Sequence, residues 1–294
     1  MTSAETGAVT DAASTEPREL PRRFWIGLVA VIVYVLFAAV IGNALVALFP
    51  TGDEGFDFAL SHFLPLAVMI VAGVWFVRRA GWTRDVWRTP AAFEARPRRW
   101  WMLAFPVLML AQPLVTLTQV DWTQRTLLTL LLVAISTAMV GFGEELYFRG
   151  ILRTSLRGHH GETVTLLVTS VLFGFAHVTG SVIAGLSVGF IAFQVTVLIV
   201  GGAAYYGVFR ATGRLWVGMA LHALTDFSLY VSSDSLSTKS ATGTDPAPAA
   251  VAIQSIVWAL TLVLLISCIR QDRSERREKK AVAEQADQPA VVSD

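Results

Sequence analysis

Long, unbroken apolar runs separated by short charged loops constrain this chain more than any other feature. About eight occur, at roughly 24–49, 57–77, 101–120, 126–148, 163–184, 187–209, 215–231 and 251–269. Each approaches the ~20 residues with which a helix crosses the ~30 Å hydrocarbon layer. The runs are continuously apolar rather than alternating, so helices, not barrel strands, satisfy their backbone. Only 15% of the residues are charged, against roughly 25% in an ordinary soluble domain. The expected fold is all-α: a polytopic membrane helix bundle with about eight transmembrane helices.

The loops give an orientation. All but Arg125 and Lys239 of the 23 lysines and arginines lie before the first run or in segments 78–99, 149–162, 210–214 and 270–280. These segments alternate with loops poor in basic residues, and the positive-inside rule then puts both termini in the cytoplasm. Residues 1–20 are polar and rich in Ala, Thr and Glu, which predicts a disordered cytoplasmic tail. The first apolar run is too long for a signal-peptide core and is read as a retained span. Residues 21–270 form the expected domain, and 271–294 a charged, solvated tail whose basic start could touch anionic lipid. Cys268, the one cysteine, rules out an internal disulfide. The Ala- and Arg-rich composition fits a bacterial cytoplasmic membrane. The lipid bilayer is the expected surrounding, and no nucleic-acid partner is expected.

Against this background the ionisable groups inside apolar runs stand out: Glu144, Glu145 and Arg149, then His177, then His222 and Asp226. A single charge at mid-membrane costs on the order of 3 kcal/mol on insertion scales. Gly158-His159-His160-Gly161 reads as the turn of a helical hairpin. If the fourth helix runs on past Arg149, Arg153 and Arg157 to this turn, Glu144 lies about 15 residues before it and His177 about 17 after it. At ~1.5 Å per residue the two reach nearly equal heights, and His222 lies ~12 Å beyond the next basic loop. One layer in the cytoplasmic half of the membrane can hold them all. His222 and Asp226 are four apart and share a helix face, as do Phe173 and His177, and Glu145 and Arg149. Adjacent glutamates point about 100° apart. Glu145 with Arg149 is therefore assigned to structure or substrate orientation, and Glu144 to the cavity.

E-E-x-x-x-R at 144–149, F-x-x-x-H at 173–177 and H-x-x-x-D at 222–226 together resemble the motifs of the CPBP (Abi) intramembrane proteases. That family includes the eukaryotic CaaX prenyl endopeptidases and bacterial bacteriocin-processing or immunity proteins. The resemblance covers roughly residues 125–230. It implies an endopeptidase acting on a membrane-associated peptide or protein, with Glu144 as general base on a water and His177 helping to hold that water. His222 and Asp226 match the last motif, with Phe173 in support. A carboxylate in a low-dielectric cavity is a better base than in water. An ionised Asp226 accepts hydrogen bonds but cannot donate one to an oxyanion. It would orient His222 or bind a metal, whereas His222 with a proton on its facing nitrogen could stabilise the oxyanion. Glu144, His177, His222 and Asp226 are also a donor set suited to zinc or another divalent ion. No H-E-x-x-H helix is present, and a metal-free glutamate mechanism competes.

Plainer readings stand beside these. The glutamates could form a structural ion pair with Arg149, and each histidine a packing contact. His62 has no evident partner, and His159 and His160 belong to a solvated turn. Gly185-Leu-Ser-Val-Gly189 matches G-x-S-x-G but lacks its strand–turn–helix context; Gly185 and Gly189 read instead as a small-residue packing face, with Gly201, Gly202 and Gly207 in similar roles. Trp82, Trp87, Trp100 and Trp101 read as an interfacial belt. A proton- or metal-coupled transporter, with the intramembrane groups as a relay, is the main alternative function. A non-catalytic scaffold or immunity protein is the other.

Overall fold

The computed structural model describes residues 19–94, 98–233, 236 and 247–286. These form helices, with no strand among the described residues. The long helices are α1 (Phe24–Leu48), α2 (Glu54–Arg79), α3 (Trp100–Leu117), α4 (Leu127–Arg157), α5 (Glu162–Ile183), α6 (Val188–Thr212), α7 (Leu215–Ser232) and α8 (Pro248–Ala286). Seven of them, not the expected eight, are long and apolar enough by themselves to cross a membrane. The exception is α7, whose 18 residues include His222, Thr225, Asp226 and Ser228. It packs chiefly against α4 and α3.

Local chemistry sets the helix ends. Asp53, Thr126 and Ser187 precede α2, α4 and α6, and each side chain accepts a hydrogen bond from the backbone N–H three residues on. These caps satisfy donors that the first turn leaves open. Ser187 is thereby occupied as a cap. Gly185 turns the chain with φ +70°, and no atom lies within 4 Å of a Cβ built on Gly185 or Gly189, so the packing face expected there is not formed. Gly201 is open in the same way, whereas Gly202 and Gly207 do sit under neighbouring side chains.

The fourth helix does run on to the hairpin turn, but not as a uniform α-helix. Leu146–Leu152 is a π-helical stretch, and all seven of its residues are buried. Helix α1 carries a second such stretch at Leu36–Ile41. Between α4 and α7 the backbones come close at Gly141, where a Cβ would lie 2.6 Å from Ala223 N and 2.7 Å from Met219 O. Outward-facing Val71, Trp75, Leu127 and Phe193 are more than 60% exposed, the inverse of a soluble surface and the pattern of a lipid-facing one.

The N-terminal tail differs from expectation where it is described. Residues 1–18 lie outside the described residues, but Leu20 is tied down: its N–H donates to Ala80 O (3.1 Å) and its carbonyl accepts from Trp82 Nε1 (3.0 Å). Trp82 is fully buried and so leaves the interfacial belt, whereas Trp100 is exposed. The chain after residue 270 continues as a largely exposed helix to Ala286. Asp272 on that extension accepts from the N–H groups of Glu162 (2.8 Å) and Thr163 (2.9 Å), capping α5 from another helix.

Candidate active site

Helices α4, α5 and α7 bring the predicted polar residues together. Glu144 Oε1 lies 3.9 Å from His177 Nε2, and Glu144 Oε2 lies 3.5 Å from His222 Nε2. His222 Nε2 is also 3.6 Å from Asp226 Oδ2. The other ring nitrogen of His222, Nδ1, is 3.1 Å from Glu145 Oε1. One imidazole therefore bridges the two adjacent carboxylates. Glu145 Oε1 also accepts from Arg149 Nη1 at 3.0 Å, and both of these side chains are completely buried.

Each imidazole is held by its outer nitrogen. His177 Nδ1 lies 2.9 Å from the carbonyl of Phe173, one helical turn back. A carbonyl only accepts, so Nδ1 carries the proton and the Nε2 of a neutral ring faces Glu144 with a lone pair. His222 Nδ1–H likewise donates to Glu145. Glu144 Oε2 is buried and makes no hydrogen bond within the protein. Its separations from the two Nε2 atoms exceed direct hydrogen bonds and suit a bridging water.

Aromatic rings wall this cluster. Phe173 meets His177 edge-on at 5.1 Å and His222 at 5.8 Å, and carries the Arg149 guanidinium over its face at 4.2 Å. Arg149 Nη2 also donates to Gly202 O at 2.9 Å. A Cβ on Gly202 would sit 3.2 Å from that nitrogen. Two participants were missed in the sequence. Tyr205 of α6 stacks on His222 at 4.5 Å and 15°, and Tyr34 of α1 stacks on Tyr147 at 4.6 Å beside the site. Tyrosines in apolar runs are ordinary, so only the pairing of helices exposes them. His62 is not without partners: its Nδ1 contacts Phe58 O (2.7 Å) and Ser61 Oγ (2.8 Å). His159 and His160 are exposed in the hairpin turn, as expected.

The metal set considered for Glu144, His177, His222 and Asp226 does not fit. No group of three or more His, Cys, Asp or Glu side chains is arranged to hold a metal ion among the described residues. Glu144 turns one oxygen to each histidine rather than gathering both rings on one oxygen.

A polytopic helix bundle with seven membrane-crossing helices and a carboxylate–imidazole cluster between three helices describes an integral membrane protein. Residues 126–228 match the family model described as type II CAAX prenyl endopeptidase Rce1-like. This is the CaaX-protease family that the three motifs resemble, and the matched segment spans α4 to α7. No curated protein matches the chain.

Proposed function

We propose that the protein is an intramembrane endopeptidase of the CaaX-protease type, hydrolysing a peptide bond of a membrane-associated peptide or protein with Glu144 as general base. The observation that carries this reading is the Glu144 carboxylate set between two imidazoles: its Oε2, buried without a hydrogen bond, lies 3.5 Å from His222 Nε2, and its Oε1 lies 3.9 Å from His177 Nε2. Glu144 takes a proton from a water held with His177 as the water oxygen bonds the scissile carbonyl carbon. The carbonyl oxygen becomes an oxyanion, which His222 stabilises when doubly protonated. Collapse breaks the C–N bond, and Glu144 returns the proton to the leaving amine. Glu145 and Arg149 fix His222 rather than react.

The arginine-rich loops support a membrane orientation with both termini cytoplasmic and the site opening to that leaflet, in a bacterial cytoplasmic membrane. The test is comparative peptidomics of cells carrying wild-type protein or Glu144→Ala. Membrane-derived cleavage products should disappear in the variant; identical peptide sets would refute the reading.

A further inference from the structure

The site as assembled is rich in acceptors and offers the oxyanion a single donor, the Nε2–H of a doubly protonated His222. Asp226 accepts only when ionised, and each Nδ1–H is already committed, to Glu145 or to Phe173 O. Peptide-bond hydrolysis needs donors aimed at the developing oxyanion. Two buried donors in this region have no partner in the protein: Arg149 Nε, on a guanidinium already tied to Glu145 and Gly202 O, and the hydroxyl of Tyr34, on a side chain 2% exposed. Other unpartnered hydroxyls, such as Ser136, Thr154 and Ser170, sit on short side chains that can turn to a helix carbonyl. A phenol cannot reach its own helix in that way.

The geometry places this hydroxyl against the α4 segment that carries Glu144. Its ring is fixed by the stack on Tyr147, 4.6 Å between centroids and 24° between planes. The Tyr147 hydroxyl is spent elsewhere, donating to Met69 O at 2.9 Å, and takes no part in the ring stack. The residue preceding Glu144 is Gly143, and a Cβ there would lie 2.8 Å from the Tyr34 hydroxyl oxygen and 2.9 Å from its Cε2. The glycine thus leaves the space that the phenol occupies next to Glu144.

We propose that Tyr34 is a further catalytic residue, its hydroxyl donating a hydrogen bond to the oxyanion formed at the scissile carbonyl. It supplies the donor that Asp226 cannot. This inference rests on the hydrolase reading and lies on α1, outside the matched segment 126–228.

The experiment follows the peptides whose release depends on Glu144, quantified over time in cells carrying wild-type protein, Tyr34→Phe, Tyr147→Phe, Tyr34→Phe/Asp226→Asn or Glu144→Ala. Purified protein in liposomes then gives kcat and KM on a synthetic copy of the most abundant one. Removing one oxyanion donor lowers kcat by about 10²-fold or more. Tyr34→Phe should show that loss with KM unchanged. Tyr147→Phe, which loses a hydroxyl bonded only to a backbone carbonyl, should keep its kcat within a few-fold. Asn at 226 brings an amide donor, so the double variant should recover part of the loss, which a merely structural Tyr34 would not allow. Wild-type kcat in Tyr34→Phe, or equal losses in both Tyr→Phe variants, overturns the inference and leaves the hydrolase standing. Peptides unchanged in Glu144→Ala overturn both.

Discussion

Arg149→Met tests whether the buried ion pair organises the site. Arg149 and Glu145 are both fully buried, 3.0 Å apart, and Met restores much of the arginine's volume without its charge. Breaking a buried pair from one side costs about 3–5 kcal/mol, because the remaining charge is uncompensated. Gly202 O, inside helix α6, also loses a charged side-chain donor, worth about 1.5–3 kcal/mol. Against this, His222 Nδ1 stays 3.1 Å from Glu145 Oε1 and offers partial compensation. The low end, about 3 kcal/mol, is therefore expected, or roughly a 10²-fold shift in the folded population. Removing both charges in Arg149→Met/Glu145→Gln should recover at least about 2 kcal/mol of that loss, since a matched neutral pair escapes the penalty. The assay is reversible unfolding in mixed detergent micelles, followed by tryptophan fluorescence, on both single variants and the double. A loss under about 1 kcal/mol, or a double variant as unstable as the singles summed, would refute the claim that this pair is desolvated and coupled.

Two more perturbations probe the frame. Asp272→Ala removes the cap that α8 lends to α5 and should cost about 1 kcal/mol in the same unfolding assay, with faster amide exchange at Glu162 and Thr163. Gly141→Leu must push α4 off α7, because its Cβ meets backbone atoms at 2.6 and 2.7 Å; Gly180→Leu meets nothing within 4 Å. The first should abolish Glu144-dependent peptide release and the second preserve it, read by the same peptidomics.

The helical class and the convergence of Glu144, His177 and His222 were legible because both follow from one-dimensional facts. Helix length is read from apolar runs, and depth from residue counts on either side of the 158–161 turn. What sequence could not carry was lateral geometry. The bridge from His222 to Glu145 depends on how α7 rotates against α4, and Gly141 sets that approach. Tyr34 and Tyr205 reach the site from α1 and α6, helices whose facing sides leave no periodic signal in sequences apolar all round. Trp82 was misread for the same reason, since a tryptophan beside arginines looks interfacial until a strap from Leu20 covers it. The α7 span was weakened by the same polar residues, His222 and Asp226, that bring it into the cluster.

Charge neutrality adds a constraint that geometry alone does not express. Arg149 offsets Glu145, which leaves Glu144 and Asp226 as two acids beside two imidazoles. A low-dielectric interior does not hold two uncompensated negative charges a few ångströms apart. The cluster must then retain protons, on the imidazoles or on a carboxyl, whenever it is sealed from water. Those protons lie on groups linked by 3.5, 3.6 and 3.9 Å steps through His222 and His177 to Glu144. The same cluster can thus accept a proton from an attacking water and return one to a departing amine. A purely structural ion pair would need only Glu145 and Arg149; it is the second, incompletely paired carboxylate at 144 that requires a task.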